Sequence, residues 1–175
     1  NTAARSLASP VLRTVGVLFR RQRSTIDAND LDYVDGIRRA LEPSGLQVVI
    51  PVMTSSAPLI ELRSLVRSGS LGGVILMDVS QGDEREAMLL EEKIPTVLIG
   101  SSGCTVGAPG VDNDFAQMAH EAVKHLAGLG HRRIIALMRE TSADDAHARQ
   151  DQAQELLRAA VDLGVDVLVR QVPEL

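Results

Sequence analysis

The 175 residues are 45% apolar and 23% charged, with one Cys, no Trp, one Tyr and two Phe. Rings this scarce exclude a base-stacking platform for single-stranded nucleic acid. The lone Cys104 excludes a disulfide framework and fits a reducing cytosol. The net charge of −5 is uneven: residues 1–26 carry Arg5, Arg13, Arg20, Arg21 and Arg23 and no acid, while the remainder holds 13 basic and 23 acidic side chains, an acidic body with a basic N-terminal arm.

The opening NTAARSLASPVLRTVGVLF lacks a basic end followed by a continuous apolar core, so no signal peptide is expected, and no later run approaches the roughly 18 apolar residues of a membrane helix. Val15–Phe19 is the first predicted strand. Asp30 is expected to cap a helix in which Leu31, Val34, Ile37 and Leu41 fall at helical spacing before Pro43 and Gly45 stop it. The strand Gln47–Val52 and the helix Pro58–Arg67 follow, the helix burying Leu59, Leu62 and Val66. Next come the strand Gly73–Met77, a charged helix over Asp83–Lys93 burying Ala87, Leu90 and Ile94, and the strand Thr96–Ile99. Asp114 is placed to cap Phe115–Leu129, with Phe115, Met118, Ala122 and Leu126 inward. The strand Ile134–Met138, a helix from about Asp144 to Leu163 with Ala153, Leu156, Leu157 and Ala160 inward, and the strand Val165–Val169 complete the order.

Short, nearly continuous Val/Ile/Leu runs alternating with amphipathic helices predict an α/β fold with a doubly wound parallel sheet. Ligands of such sheets bind beyond the carboxyl ends of the strands. The usual chemistries fail on spacing. RRQRST after the first strand has none of the glycines a dinucleotide turn needs, and the glycine-rich Gly100–Gly110 loop lacks the Lys-Ser/Thr of a P-loop. The histidines of HEAVKH, His120 and His125, are five apart, about 140° around a helix, where zinc-protease ligands are four apart on one face. Cys104 has no histidine beside it, and no serine occupies a nucleophile elbow. No catalytic set, metal or cofactor is implied. GLGHRRI reads as a helix-to-strand junction, with Gly130 supplying a left-handed terminus.

The segment GVDNDFAQMAHEAVKHLAGLGHRRIIAL resembles the signature stretch of the LacI/GalR family of transcription regulators: a V-D-N turn, an Ala-rich helix ending H-L, then L-G-H-R-R-I and a strand. NTAARSL resembles that family's hinge helix, and GGVILM and KIPTVLIG resemble two of its strands, so the likeness runs through nearly the whole chain. It implies a periplasmic-binding-protein-like fold: a hinge over residues 1–12 after a helix-turn-helix head, an N-terminal effector subdomain over 13–138, and the start of a second subdomain over 139–175. It further implies a cytoplasmic homodimer that binds operator DNA and a small-molecule effector, and that is not an enzyme. Hinge helices of this family wedge a leucine into the minor groove, which carries over to Leu7 with Ala4 and Arg5 beside it.

By the same resemblance, the effector lies between the subdomains. Asp78, Ser101, Asp112 and Asn113 are available to hydrogen-bond it, with Gln152 where the family has a ligand-binding arginine and Arg149 three residues earlier. DAND (Asp27–Asp30) replaces the family's N-P-F-F, removing its aromatic wall, while Arg20, Arg21 and Arg23 near the cleft mouth either are solvated or face DNA phosphates, the favoured reading, or select an anionic effector. The rival reading is a periplasmic-type sugar-binding protein, against which NTAARSL speaks.

Overall fold

The computed structural model of the chain describes residues 13–20, 28–53, 57–139 and 146–172. Elements run β1 (Thr14–Leu18), α1 (Ala28–Leu41), β2 (Gln47–Val49), α2 (Pro58–Arg67), β3 (Gly73–Leu76), α3 (Glu84–Glu91), β4 (Thr96–Ile99), β5 (Gly110–Val111), α4 (Phe115–Gly128), β6 (Arg133–Arg139), α5 (Ala146–Leu163) and β7 (Asp166–Val172). The predicted hinge, residues 1–12 with Ala4, Arg5 and Leu7, lies outside the described residues, as does Arg21.

The chain divides into two compact units, Asn1–Val111 and Asp112–Leu175. In the first, five strands form a parallel sheet in the order β2-β1-β3-β4-β5, with Val15 opposite both Val48 and Gly73, and Val74 opposite Thr96. Leu18, Leu62, Val66, Leu71, Val74, Leu76, Met88, Leu89 and Leu98 form its core. Each such leucine stabilises the fold by about 1.5–3 kcal/mol relative to exposure. Arg63 and Arg67 of α2 reach Glu91 and Glu92 at the end of α3, which ties two helices through their outer rims.

The second unit is smaller. β6 and β7 pair in parallel from Arg133↔Asp166 to Arg139↔Val172, and α4 and α5 cover them, with Ala119, Val123, Leu156, Ala159 and Ala160 of the helices forming one core with Val165 and with Val167 of β7. These packing partners move the subdomain boundary. The sequence reading carries the first subdomain through residue 138, whereas α4 and β6 share their core with α5 and β7, so the division follows Val111.

Three helix faces also differ from their predicted orientation. In α3 the buried residues are Glu86, Met88 and Leu89, and Ala87 and Leu90 are exposed. In α4 they are Ala119 and Val123, while Met118 is 53% exposed and Ala122 faces outward. In α5 Leu156 and Ala160 are inward as expected, but Ala159 replaces Leu157. Each helix offers two adjacent apolar stripes, and the partner surface selects between them. Asp30 sits inside the first turn of α1 rather than before it. The two-residue β5, read from sequence as part of a glycine-rich loop, is a strand because its backbone continues the ladder beside β4.

Candidate functional site

The strands of the first unit are parallel, so their carboxyl ends lie on one rim, formed here by the chain after Leu18, Leu76 and Ile99. Met77 N–H donates to the Leu18 carbonyl at 2.9 Å, placing the exits of β1 and β3 side by side. This is where the strand order reverses, and ligands of open α/β sheets sit at such a reversal.

Three predicted residues share this rim. Arg20 is half-buried two residues after β1. Asp78 follows β3 with φ of 52°, a left-handed backbone that costs a non-glycine residue on the order of 1–2 kcal/mol. Ser101 follows β4, and its hydroxyl accepts from Gly103 N–H at 3.3 Å. The loops bearing Asp78 and Ser101 are joined by Gly82 N–H donating to the Ser102 carbonyl at 2.9 Å.

The other predicted residues belong to the second unit. Asp112 and Asn113 directly follow β5 and are exposed, and the Asp112 carboxylate accepts from Asn113 N–H at 2.8 Å. Asp114 caps α4 as expected, accepting from Gln117 N–H at 2.7 Å. Gln152 is half-buried in α5, and Arg149 lies one turn before it on the same helix. His120, part of the sequence HEAVKH, faces Glu155 with Nδ1 3.6 Å from the carboxylate. Gly130, at φ of 90°, closes α4 in the left-handed conformation read from GLGHRRI.

The rim's most elaborate polar structure centres on Arg85, a residue that the sequence does not single out. Arg85, largely buried in the first turn of α3, donates from Nε to Asp83 Oδ1 at 3.0 Å and from Nη2 to Asp83 Oδ2 at 2.8 Å. The same guanidinium donates to the carbonyls of Met77 at 3.0 Å, Asp78 at 3.2 Å and Leu18 at 3.4 Å. One cation therefore gathers the exits of β1 and β3. Asp83 caps α3 through Arg85 N–H and also accepts from Ser80 N–H. Burial pushes the Asp83 carboxyl up, but the Arg85 guanidinium and the two backbone donors outweigh it and hold the group below the ordinary aspartate value. Beside it Glu86 is buried, and its Oε1 accepts from Ala108 N–H at 2.7 Å. The sequence signal was the spacing Asp83-x-x-Glu86, which marks a helix start but does not reveal which way the glutamate turns.

Among the described residues no group of three or more His, Cys, Asp or Glu is placed to hold a metal ion, and no helix is long and apolar enough to cross a membrane. The rim is a set of hydrogen-bonding groups with fixed directions, suited to holding a polar molecule.

No protein-family model matches the chain. Over 172 residues it is 26% identical to catabolite control protein A of Priestia megaterium, covering 95% of this chain and 49% of that protein. Among solved structures, a regulatory protein of the LacI family from Chloroflexus aggregans superimposes with a TM-score of 0.74 at 24% identity, covering 90% of this chain and 57% of that one. The regulator CelR in complex with cellobiose superimposes with a TM-score of 0.70 at 23% identity, covering 97% and 55% respectively. The chain thus spans about half or less of the length of the curated relatives it matches.

Proposed function

The chain has the effector-domain fold of LacI-family transcription regulators, and from that premise we propose that it is the ligand-sensing part of such a regulator, with a sugar or related metabolite as effector. The observation that carries the reading is the braced polar rim over the carboxyl ends of β1, β3 and β4, in a fold whose neighbours include a cellobiose complex. Asp78 and Ser101 are assigned to effector binding from the first unit, and Asp112, Asn113, Arg149 and Gln152 from the second. Carboxylate, hydroxyl and amide groups match the alternating donors and acceptors of sugar hydroxyls. Arg20 and Arg21 extend the preference to an effector bearing an anionic substituent.

Effector binding changes the affinity of the hinge, through Ala4, Arg5 and Leu7, for operator DNA, and by linkage the operator changes effector affinity by the same factor. The working form is a cytoplasmic homodimer whose two-fold axis matches a palindromic operator, and it carries out no catalysis. Two measurements test this. Cellobiose, maltose and their phosphorylated forms are titrated against the chain by thermal shift, where a ligand at 100 times its Kd stabilises the fold by about 2.7 kcal/mol. Anisotropy of the full-length gene product on DNA from its own upstream region, at fixed salt, is compared with Leu7→Ala. Sequence-selective binding that weakens in the variant and responds to the sugar supports the proposal. Consumption of the sugar, or sugar binding with no selective DNA binding, overturns it in favour of an enzyme or a solute-binding protein.

A further inference from the structure

We infer that Glu86 is a positioning residue for the ligand-facing rim: its buried carboxylate holds down the β4–β5 loop that carries Ser101. The inference rests on the reading of that rim as a ligand site. Glu86 is 2% exposed, yet it stands in the first turn of a helix with charged residues on its outer side. A carboxylate so buried costs several kcal/mol unless its oxygens are hydrogen-bonded. In the Asp-x-x-Glu pattern of a helix start, the glutamate commonly folds back onto the capping residue's N–H. Here its Oε1 accepts instead from Ala108 N–H, 22 residues further along the chain.

The loop is shaped for that contact. A Cβ at Gly107 would run into the Glu86 carboxylate and would lie 3.2 Å from Cys104 Cβ, so with any other residue either the loop or the carboxylate must shift. Ala108 then packs against the core of the first unit. At its other end the loop is tied by Gly82 N–H to the Ser102 carbonyl, and Gly82 precedes Asp83 in the turn that Arg85 braces. Three neighbouring residues, Asp83, Arg85 and Glu86, therefore fix the exits of β1 and β3 and the β4–β5 loop from one helix turn. Ser101 stands beside one of the loop's two anchored points. Ordering the loop in advance removes that entropic cost from ligand binding, and fixed donors and acceptors discriminate between sugar hydroxyls better than mobile ones.

Cys104, the single cysteine of the chain, is exposed in this same loop and reports on it directly. A maleimide nitroxide on Cys104 is expected to give an immobilised electron paramagnetic resonance spectrum in the parent chain. Glu86→Gln keeps an amide oxygen able to accept from Ala108 and should keep that spectrum, whereas Glu86→Ala should give a mobile one. A label equally immobile in Glu86→Ala overturns the proposal. If Glu86→Ala does not fold, Gly107→Ala lifts the loop from its own side and should free the label, and an unchanged spectrum there overturns it as well. Titration with cellobiose separates the two readings. Affinity falling about tenfold in Glu86→Ala and restored in Glu86→Gln, the scale of one hydrogen bond, supports both. A mobile label in Glu86→Ala with no cellobiose binding by the parent chain upholds the positioning role and counts against the rim as a sugar site.

Discussion

The two units treat the same kind of strand differently. β1 buries Gly16, Val17 and Leu18 in succession, and β3 with the residue after it buries Gly73, Val74, Leu76 and Met77, so both faces of the central sheet are covered. β6 is as apolar in sequence but alternates: Ile134, Ala136 and Met138 turn toward α4 and α5, while Ile135 and Leu137 are 65% and 69% exposed. Leu168 of β7 is exposed as well. Parallel strands normally have both faces covered, and among the described residues of the second unit only one is. A continuous apolar run therefore shows what a strand can bury, and the surrounding elements decide how much of it is buried.

That contrast can be broken by substitution. Leu76→Ala, in the fully covered strand, should lower stability by about 3 kcal/mol in urea unfolding. Equal loss from Leu137→Ala would show that β6 is covered on both sides. Asp83→Ala removes both a helix cap and the partner of a largely buried arginine, and should cost roughly 2–3 kcal/mol near neutral pH. Because the folded Asp83 pKa is depressed, its contribution is complete above the unfolded value of about 4 and disappears as pH falls through the lower folded value. Thermal midpoints of parent and variant should converge in acid; a constant gap would show that Asp83 acts through packing alone. Ala159→Val tests the tighter side of the second unit, where Ala159 of α5 is fully buried in the core shared with α4, and overpacking should cost about 1–2 kcal/mol. Leu137→Thr should change stability by less than about 0.5 kcal/mol while lowering the binding of an apolar dye to the bare face.

The sequence legibly carried the order of elements. α2 and β4 fall on their predicted residues, and proline at the start of α2 with aspartates before α3 and α4 marked those helix starts. Helix faces were less legible, because Met118 and Ala119, or Leu156 and Leu157, are consecutive apolar residues that point about 100° apart, and a 3.6-residue period can be started from either. Of the candidate site, Asp78 and Ser101 were legible because each lies two residues beyond the end of a strand. Arg85 and Glu86 were not, since charged residues in a helix's first turn ordinarily face solvent and their partners lie at Leu18 and Ala108, distant in sequence. Only the fold brings those carbonyl and amide groups to them.

The strand order also sets a schedule for synthesis. β1 lies between β2 and β3, with Val15 facing Gly73, and the sheet is finished only when Gly110 joins Leu98. As the ribosome adds about 5–20 residues per second, β1 must wait several seconds for its second neighbour, holding a strand edge and apolar side chains open to other partners. β6 and β7 meet around a single intervening helix. A nascent chain of this kind depends most on chaperone shelter between the emergence of β1 and that of β3, and heat or slow translation should expose it to aggregation during that interval.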